Sequence, residues 1–314
     1  MAIAQSRQVA DMITERTGRA VEIVGVTTLG DVSRAQLTQI GGTGVFVSAL
    51  REALLGGEVD LAVHSLKDLP TGPAAGIVLA AVPSRDDPRD ALVARDGAKL
   101  ADLPPGARIG TGSPRRAAQL LGLRADLRCV PIRGNAGTRL GKVSEGELDA
   151  VVLAYAGLAR IGHVGAITQV FEPDEMLPAP GQGALAVECR EGDAELAALL
   201  QLVTDEASMA AVTAERSLLE ALEAGCSAPI GAYAVPAAGG SGGGVPPGSR
   251  AAQLRMQAAV MSPDGSRMLR AHGGAPAAGA WQLGRDLAAE LLRSGASDLI
   301  SVSEGQANSG NDVQ

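Results

Sequence analysis

Aromatic side chains are almost absent: one Trp, two Tyr and two Phe in 314 residues. Positive charge is in the minority too, with 27 Lys and Arg against 35 Asp and Glu and a formal net charge of −8. The two deficits together argue against nucleic-acid binding, which draws on phosphate-neutralising cations and on rings that stack bases. No apolar run approaches the roughly 18 residues of a membrane-spanning helix; the best, Ala74–Pro83, is far shorter. The first residues turn polar at once and do not read as a signal peptide, so the expected compartment is the cytoplasm. Three cysteines (Cys129, Cys189, Cys226) and three histidines (His64, His163, His272) share no metal-ligand spacing, so no metal site is expected. An odd cysteine also suits a reducing compartment.

What the chain does have is apolar material, 46% hydrophobic against 20% charged residues, which is ample for packed cores. At roughly 100–200 residues per domain, the length suggests two or three domains. Helix-like and strand-like stretches alternate along the first half. Val9, Met12 and Ile13 mark an amphipathic helix within 5–17, and 21–26 reads as a strand. A helical stripe over 45–55 stops at Gly56-Gly57, and short apolar strands follow at 59–63 and 77–82. This alternation predicts α/β lobes with mostly parallel sheets and helices on both faces. A doubly wound lobe normally opens on a strand, whereas this sequence opens on a helix. The expectation is therefore a missing first strand, from a start placed too far downstream or a truncation.

A second unit follows the loop 84–90. It reads as a strand at 108–110, a helix started by Ser113 and Pro114, a strand at 129–132, a helix at 138–143 and a strand at 148–153. The Pro- and Gly-rich stretch 177–183 reads as a crossing segment, with a strand at 184–188 beyond it and helices at 194–203 and 207–223. The run GGSGGGVPPG at 239–248 is a low-complexity loop. Ser262-Pro-Asp-Gly265 is a hairpin signature, 281–294 is a final helix, and 303–314 is a polar tail.

Charge placement is the main anomaly. Between Arg108 and Arg139 stand seven arginines and one acid, Asp126, within an acidic chain. Arg115, Arg116, Arg133 and Arg139 fall where strands end and helices begin, where free N–H groups and bidentate guanidinium groups bind anions. The plainer alternative is a solvated face, which is the expectation for Arg124 and Arg128. Lys67-Asp68 follows a buried strand, and a carboxylate in an arginine-lined cleft stabilises a developing cation or moves a proton. Asp68 reads equally well as a turn residue ahead of Pro70. Cys226, between Gly225 and Ser227, lies just past a helix end, although a free cysteine is more often an inert small hydrophobe. His64 shows no partner in the sequence, and structural hydrogen bonding is its expected role. Gly41-Gly42-Thr43-Gly44 matches neither phosphate-loop pattern.

Six stretches together resemble the porphobilinogen deaminase (hydroxymethylbilane synthase) family: AVHSLKDLP (62–70), RDDPRDAL (85–92), IGTGSPRRAAQL (109–120), IRGNAGTRL (132–140), LPAPGQGALAVECR (177–190) and TAERSLLEALEAGCSAPIGAY (213–233). The resemblance runs from about Gln5 to about Ser303. It implies two α/β, doubly wound lobes like those of periplasmic binding proteins and a small α+β C-terminal domain. Lobe 1 would comprise 1–83 and 184–203, lobe 2 89–177, and the C-terminal domain 206–303, ahead of a disordered tail at 304–314. The implied reaction condenses four porphobilinogen molecules head to tail, releases ammonia and yields linear hydroxymethylbilane for haem biosynthesis. It passes through a cationic azafulvene.

The resemblance further implies a dipyrromethane cofactor joined to Cys226 by a thioether, and Asp68 as the catalytic carboxylate. Ser65, Lys67, Thr111, Ser113, Arg115, Arg116, Arg133, Arg139, Arg160 and Gln182 match family positions that bind cofactor or substrate, whose acetate and propionate groups call for clustered arginines. It also implies a monomer with no nucleic-acid or membrane partner. The chain departs from the family pattern in its opening segment, at Gly112 where many members have Ser, and at Gln39 and Thr43 where some have Lys. The rival expectation is a non-catalytic, two-lobed anion- or carboxylate-binding module, which accounts for the arginines but not for Cys226.

Overall fold

Local chemistry sets the element boundaries. The computed structural model describes residues 1–26, 42–223, 228–237 and 253–301. In chain order these form α1 (Ala2–Thr17), α2 (Gly42–Leu55), β1 (Leu61–Ser65), β2 (Ile77–Ala81), β3 (Asp90–Ala94), β4 (Arg108–Gly110), α3 (Pro114–Leu123) and β5 (Arg128–Val130). There follow α4 (Ala136–Ser144), β6 (Ala150–Ala154), α5 (Tyr155–Arg160), β7 (Gln169–Val170), β8 (Leu185–Arg190), α6 (Ala194–Gln201) and α7 (Glu206–Ala221). The chain ends with β9 (Ile230–Pro236), β10 (Gln253–Met261), β11 (Met268–Pro276) and α8 (Ala280–Arg293). Ser113 caps α3 by accepting from the Arg116 N–H, with Pro114 at the first helical position, and Asn135 caps α4 through the Thr138 N–H.

Two compact units divide the chain. The first comprises Met1–Asp86 and Gly183–Met209, the second Asp87–Gln182 and Ala210–Gln314. The first unit holds a three-stranded sheet, ordered β1-β8-β2, with both pairs antiparallel. One face packs on α1 and α6 through Val9, Ile13, Leu185, Val187, Cys189 and Leu200, while Leu54, Ala62 and Ile77 close the other against α2.

In the second unit the order is β5-β4-β6-β3-β7, with β4 parallel to β5 and β6, and β3 antiparallel to β6 and β7. Every residue of β3 is buried, Leu92 and Ala94 on one face and Ala91 and Val93 on the other. A second sheet, ordered β11-β10-β9, is an antiparallel meander backed by α7 and α8. Its β10–β11 hairpin turns at the expected Ser262–Gly265 stretch, with Gly265 at φ 71°. The helices α7 and α8 approach so closely at Gly284 that an added Cβ would lie 2.1 Å from the Ala214 carbonyl oxygen.

Two expectations are corrected. The sheets are not mostly parallel: β3 and β8 each begin where the chain enters a unit from the other, so no crossover within that unit precedes them to impose parallel pairing. The strand expected at 21–26 pairs with no other strand among the described residues. That stretch and the outer edge of β1 line one cavity of about 1210 Å³, and no backbone hydrogen bond joins them.

Candidate active site

The first unit presents Asp68 on a rigid base. Straight after Ser65, β1 runs into a 3-10 turn, Leu66–Asp68. The Leu66 side chain is buried in the core, and its N–H donates to the Ala184 carbonyl at 3.0 Å. The Leu69 N–H closes the turn onto the Leu66 carbonyl. Asp68 is half-buried, and its carboxylate has no hydrogen-bond or ion-pair partner among the described residues. It lines the cavity together with Ser65 and Gln5, whose Nε2 donates to Ser65 Oγ at 2.6 Å. Lys67, half-buried on the same turn, is not among the lining residues. A carboxylate held on a fixed turn without a counter-charge is suited to stabilising a cation that forms beside it.

The second unit gathers the arginines around a residue that the sequence did not single out. Asp90, the first residue of β3, is completely buried. Its Oδ2 lies 2.8 Å from Arg115 Nη1, and its Oδ1 lies 2.7 Å from Arg116 Nη2. The same Oδ1 accepts from Arg116 Nε at 2.9 Å and from Gln182 Nε2 at 2.8 Å. Arg115 also donates to the Leu177 carbonyl, and Arg116 to that of Val152. Burial opposes the charge of Asp90, but Arg115 and then Arg116 outweigh it and hold its pKa well below the usual carboxylate range. Burial also lowers the Arg115 pKa.

Three of the expected binding residues, Arg115, Arg116 and Gln182, are thus brought together, and their first partner is internal. Both arginines are buried, since α3 begins over the sheet end that carries Asp90. One carboxylate balances only one of the two guanidinium groups, so the cluster keeps positive charge. Arg139 adds to it, its pKa lowered by burial and by the charge of Arg116, while its Nε donates to the Gly134 carbonyl at 2.8 Å. Gly134 sits at φ 106°, which an L side chain rarely adopts, so the Arg133-Gly134-Asn135 turn depends on glycine.

The remaining expected residues are spread around this cluster. Arg133 is exposed and has no partner among the described residues, and Arg160 is half-buried at the end of α5. Thr111 is buried and accepts from the Ser113 N–H at 3.2 Å. Gly112 passes so near the segment that follows β5 that an added Cβ would lie 2.8 Å from the Ile132 carbonyl oxygen. Arg124 is not simply solvated: it donates to the Leu100 and Leu103 carbonyls and pairs with Asp126, whereas Arg128 is exposed as expected. Cys226, Gln39 and the side chain of Thr43 lie outside the described residues. Cys129 is a half-buried thiol that burial pushes up to about 11, which leaves it unreactive. No group of His, Cys, Asp and Glu among the described residues could hold a metal.

The family model described as porphobilinogen deaminase, dipyromethane cofactor binding domain, matches residues 1–198, and the C-terminal domain model of the same family matches 209–293. The chain belongs to the porphobilinogen deaminase family. It is 58% identical over 309 residues to the porphobilinogen deaminase of Thermobifida fusca, covering 96% of this chain and 93% of that one. Porphobilinogen deaminase 1 of Streptomyces coelicolor is 54% identical, with 96% and 94% covered. Among solved structures, a Salmonella typhimurium periplasmic arginine-binding protein aligns at 12% identity and TM-score 0.37, over 65% of this chain and 82% of that one, a likeness too slight to build on.

The charge pattern of this porphobilinogen deaminase family member makes it acid-sensitive in a defined window. Burial works against the charge of Glu188, but His64 and Arg51 overcome it and bring its pKa from 4.5 to about 2. A carboxylate with a depressed folded pKa contributes stability that is full above its unfolded value and lost as pH falls through the folded one. Chemical denaturation followed by circular dichroism should therefore show stability unaffected by Glu188 down to about pH 4.5 and declining from there toward pH 2. Asp90, depressed in the same direction, adds to the decline.

Proposed function

We propose that the chain is a hydroxymethylbilane synthase, a transferase that joins four porphobilinogen molecules head to tail. In each step the carbon–nitrogen bond of one unit's aminomethyl group breaks and ammonia leaves, a carbon–carbon bond forms from that carbon to the free ring position of the last unit, and the ring carbon gives up its proton, which balances the ammonia released. Hydrolysis then frees the linear tetrapyrrole. The observation that carries this reading is the lobe-2 cluster: Arg115 and Arg116 share one internal carboxylate and the charge of Arg139 is felt beside Arg116, so positive charge is left for the carboxylates of a growing chain.

Asp68 stabilises the cation left on porphobilinogen when ammonia departs and accepts a hydrogen bond from the pyrrole N–H. Ser65 and Lys67 flank it. Thr111, Ser113 and the first N–H groups of α3 orient carboxylates, as do Arg133, Arg139, Arg160 and the Asp90-held set of Arg115, Arg116 and Gln182. These residues fit a group bearing several carboxylates. Dipyrromethane, tethered through the Cys226 thioether, would supply the pyrrole end from which the chain grows. The same proposal has the enzyme acting as a cytoplasmic monomer, without nucleic-acid or membrane partners. It also separates lobe 2 from a C-terminal domain that begins near 206.

Intact-mass spectrometry tests the proposal. The purified chain should carry a covalent adduct of dipyrromethane mass, and Cys226→Ala should lack it and be inactive. An unmodified chain that still binds small carboxylates would favour the non-catalytic module instead.

A further inference from the structure

A charge cluster in the first unit plays no part in binding or chemistry as proposed, yet it stands at the root of the catalytic turn. Ala62 of β1 opposes Glu188 of β8, and His64 opposes Ala186. Side chains alternate along a strand, so His64 and Glu188 project from the same face of the sheet, toward α2. There the Glu188 carboxylate receives both Nε and Nη2 of Arg51, at 3.0 and 2.7 Å, and lies 3.2 Å from His64 Nε2. The His64 and Glu188 side chains are only 5% and 4% exposed. Around them are Leu54, Ala62 and Ile77, an apolar patch that aliphatic side chains could complete equally well.

A buried arrangement of this kind is an expensive way to fill a core, because desolvating the charges consumes most of what their attraction returns. Its position suggests what it provides. Ser65 follows His64 directly, and the Leu66–Asp68 turn leaves the sheet at that point with no intervening loop. A rotation of the strand end at His64 is therefore passed on to Asp68 without slack. The Ala184 carbonyl, which receives the Leu66 N–H, lies at the start of the strand that carries Glu188.

We propose that His64, held by Glu188 and Arg51, is a positioning residue for the Asp68 turn. The Glu188 carboxylate lies against the imidazole at 3.2 Å without an aligned hydrogen bond, Arg51 fixes the carboxylate by two, and together they set the direction in which the Asp68 side chain leaves the sheet. This rests on the catalytic role proposed for Asp68.

The test compares Glu188→Gln, His64→Leu and the conservative His64→Gln, which keeps an amide donor, with Leu54→Ala as a packing control in the same core. For each purified full-length variant, adduct content by intact mass, Tm, kcat and KM for porphobilinogen are measured. Glu188→Gln and His64→Leu should carry the adduct as the parent does, keep KM within about twofold, and lose about tenfold or more in kcat, since small misplacements of a reacting group have effects of that size. His64→Gln should recover most of the loss. Leu54→Ala should lower Tm without lowering kcat per loaded molecule. In an Asp68→Asn background, Glu188→Gln should bring no further loss, because the group it positions is gone. A slow Asp68→Asn enzyme together with parental kcat in Glu188→Gln and His64→Leu overturns the inference alone. So does a kcat loss in Leu54→Ala as large as theirs. If a variant fails to fold, the remaining pair decides on the same terms. Parental turnover in Asp68→Asn overturns the underlying role of Asp68 and this inference with it.

Discussion

Asp68→Asn will fold like the parent, carry the same covalent adduct and turn over porphobilinogen about 10²–10³ times more slowly, the range found when one preorganised electrostatic group is removed from an active site. The fold is spared because the Asp68 side chain supports nothing: no described residue bonds to its carboxylate, and the backbone of Leu66 and Leu69 closes the turn. Asparagine keeps the shape and loses the charge. A cation forming as ammonia leaves then meets a neutral amide in place of a fixed carboxylate, so the loss falls on kcat more than on KM. Rapid-quench measurement of ammonia release, on protein whose adduct content is known from its mass, isolates that step. Near-parental release would remove Asp68 from its assigned role.

Asp90→Asn will destabilise the fold severely. Breaking a buried ion pair by removing one partner costs about 3–5 kcal/mol, because the other charge stays buried without compensation. Here two guanidinium groups are left, and Gln182 also loses the carboxylate to which it donates. Urea unfolding followed by circular dichroism should show the midpoint falling accordingly, and a midpoint within experimental scatter of the parent's would contradict the account. An apolar replacement of the whole set, Asp90→Leu with Arg115→Met and Arg116→Leu, should regain much of the stability. It should still carry no adduct by mass, because the charge that draws carboxylates has gone. A stable but unloaded triple variant would separate what the cluster does for the fold from what it does for binding.

The parts of this architecture that depend on neighbours in sequence were legible before the structure. Ser113 and Pro114 announce α3, and Ser262-Pro-Asp-Gly265 announces the hairpin, because capping and turn formation are settled within a few residues. The turn after β1 could be placed, and with it Lys67 and Asp68. The burial of Arg115 and Arg116 could not, since those residues of α3 depend on an acid of β3, far away in the sequence. Asp90 looked like the end of a loop. The signal that would have exposed it was the unbroken apolar run Ala91–Ala94 just after it, which marks a fully buried strand and makes its leading acid a buried one. The closeness of His64 to Glu188 is not legible in the sequence, because Glu188 lies across the sheet on β8. Strand direction departs from the expectation for a related reason: alternation of helix and strand implies crossovers only while the chain stays within one unit.

That last point bears on how the protein is made. In the first unit β1 and β2 are not paired with each other, and β8 lies between them, with Leu61 paired to Cys189 and Val78 paired to the same residue from the other side. A nascent chain that has released α1, α2, β1 and β2 therefore holds two strands with no shared edge, and their closing partner is still to be translated. The second unit's β3 to β7 leave the ribosome in between. Strand pairing across so long a loop is slow to form, and such unpaired edges are what chaperones guard. On this topology the first unit closes only after the strands of the five-stranded sheet have been made.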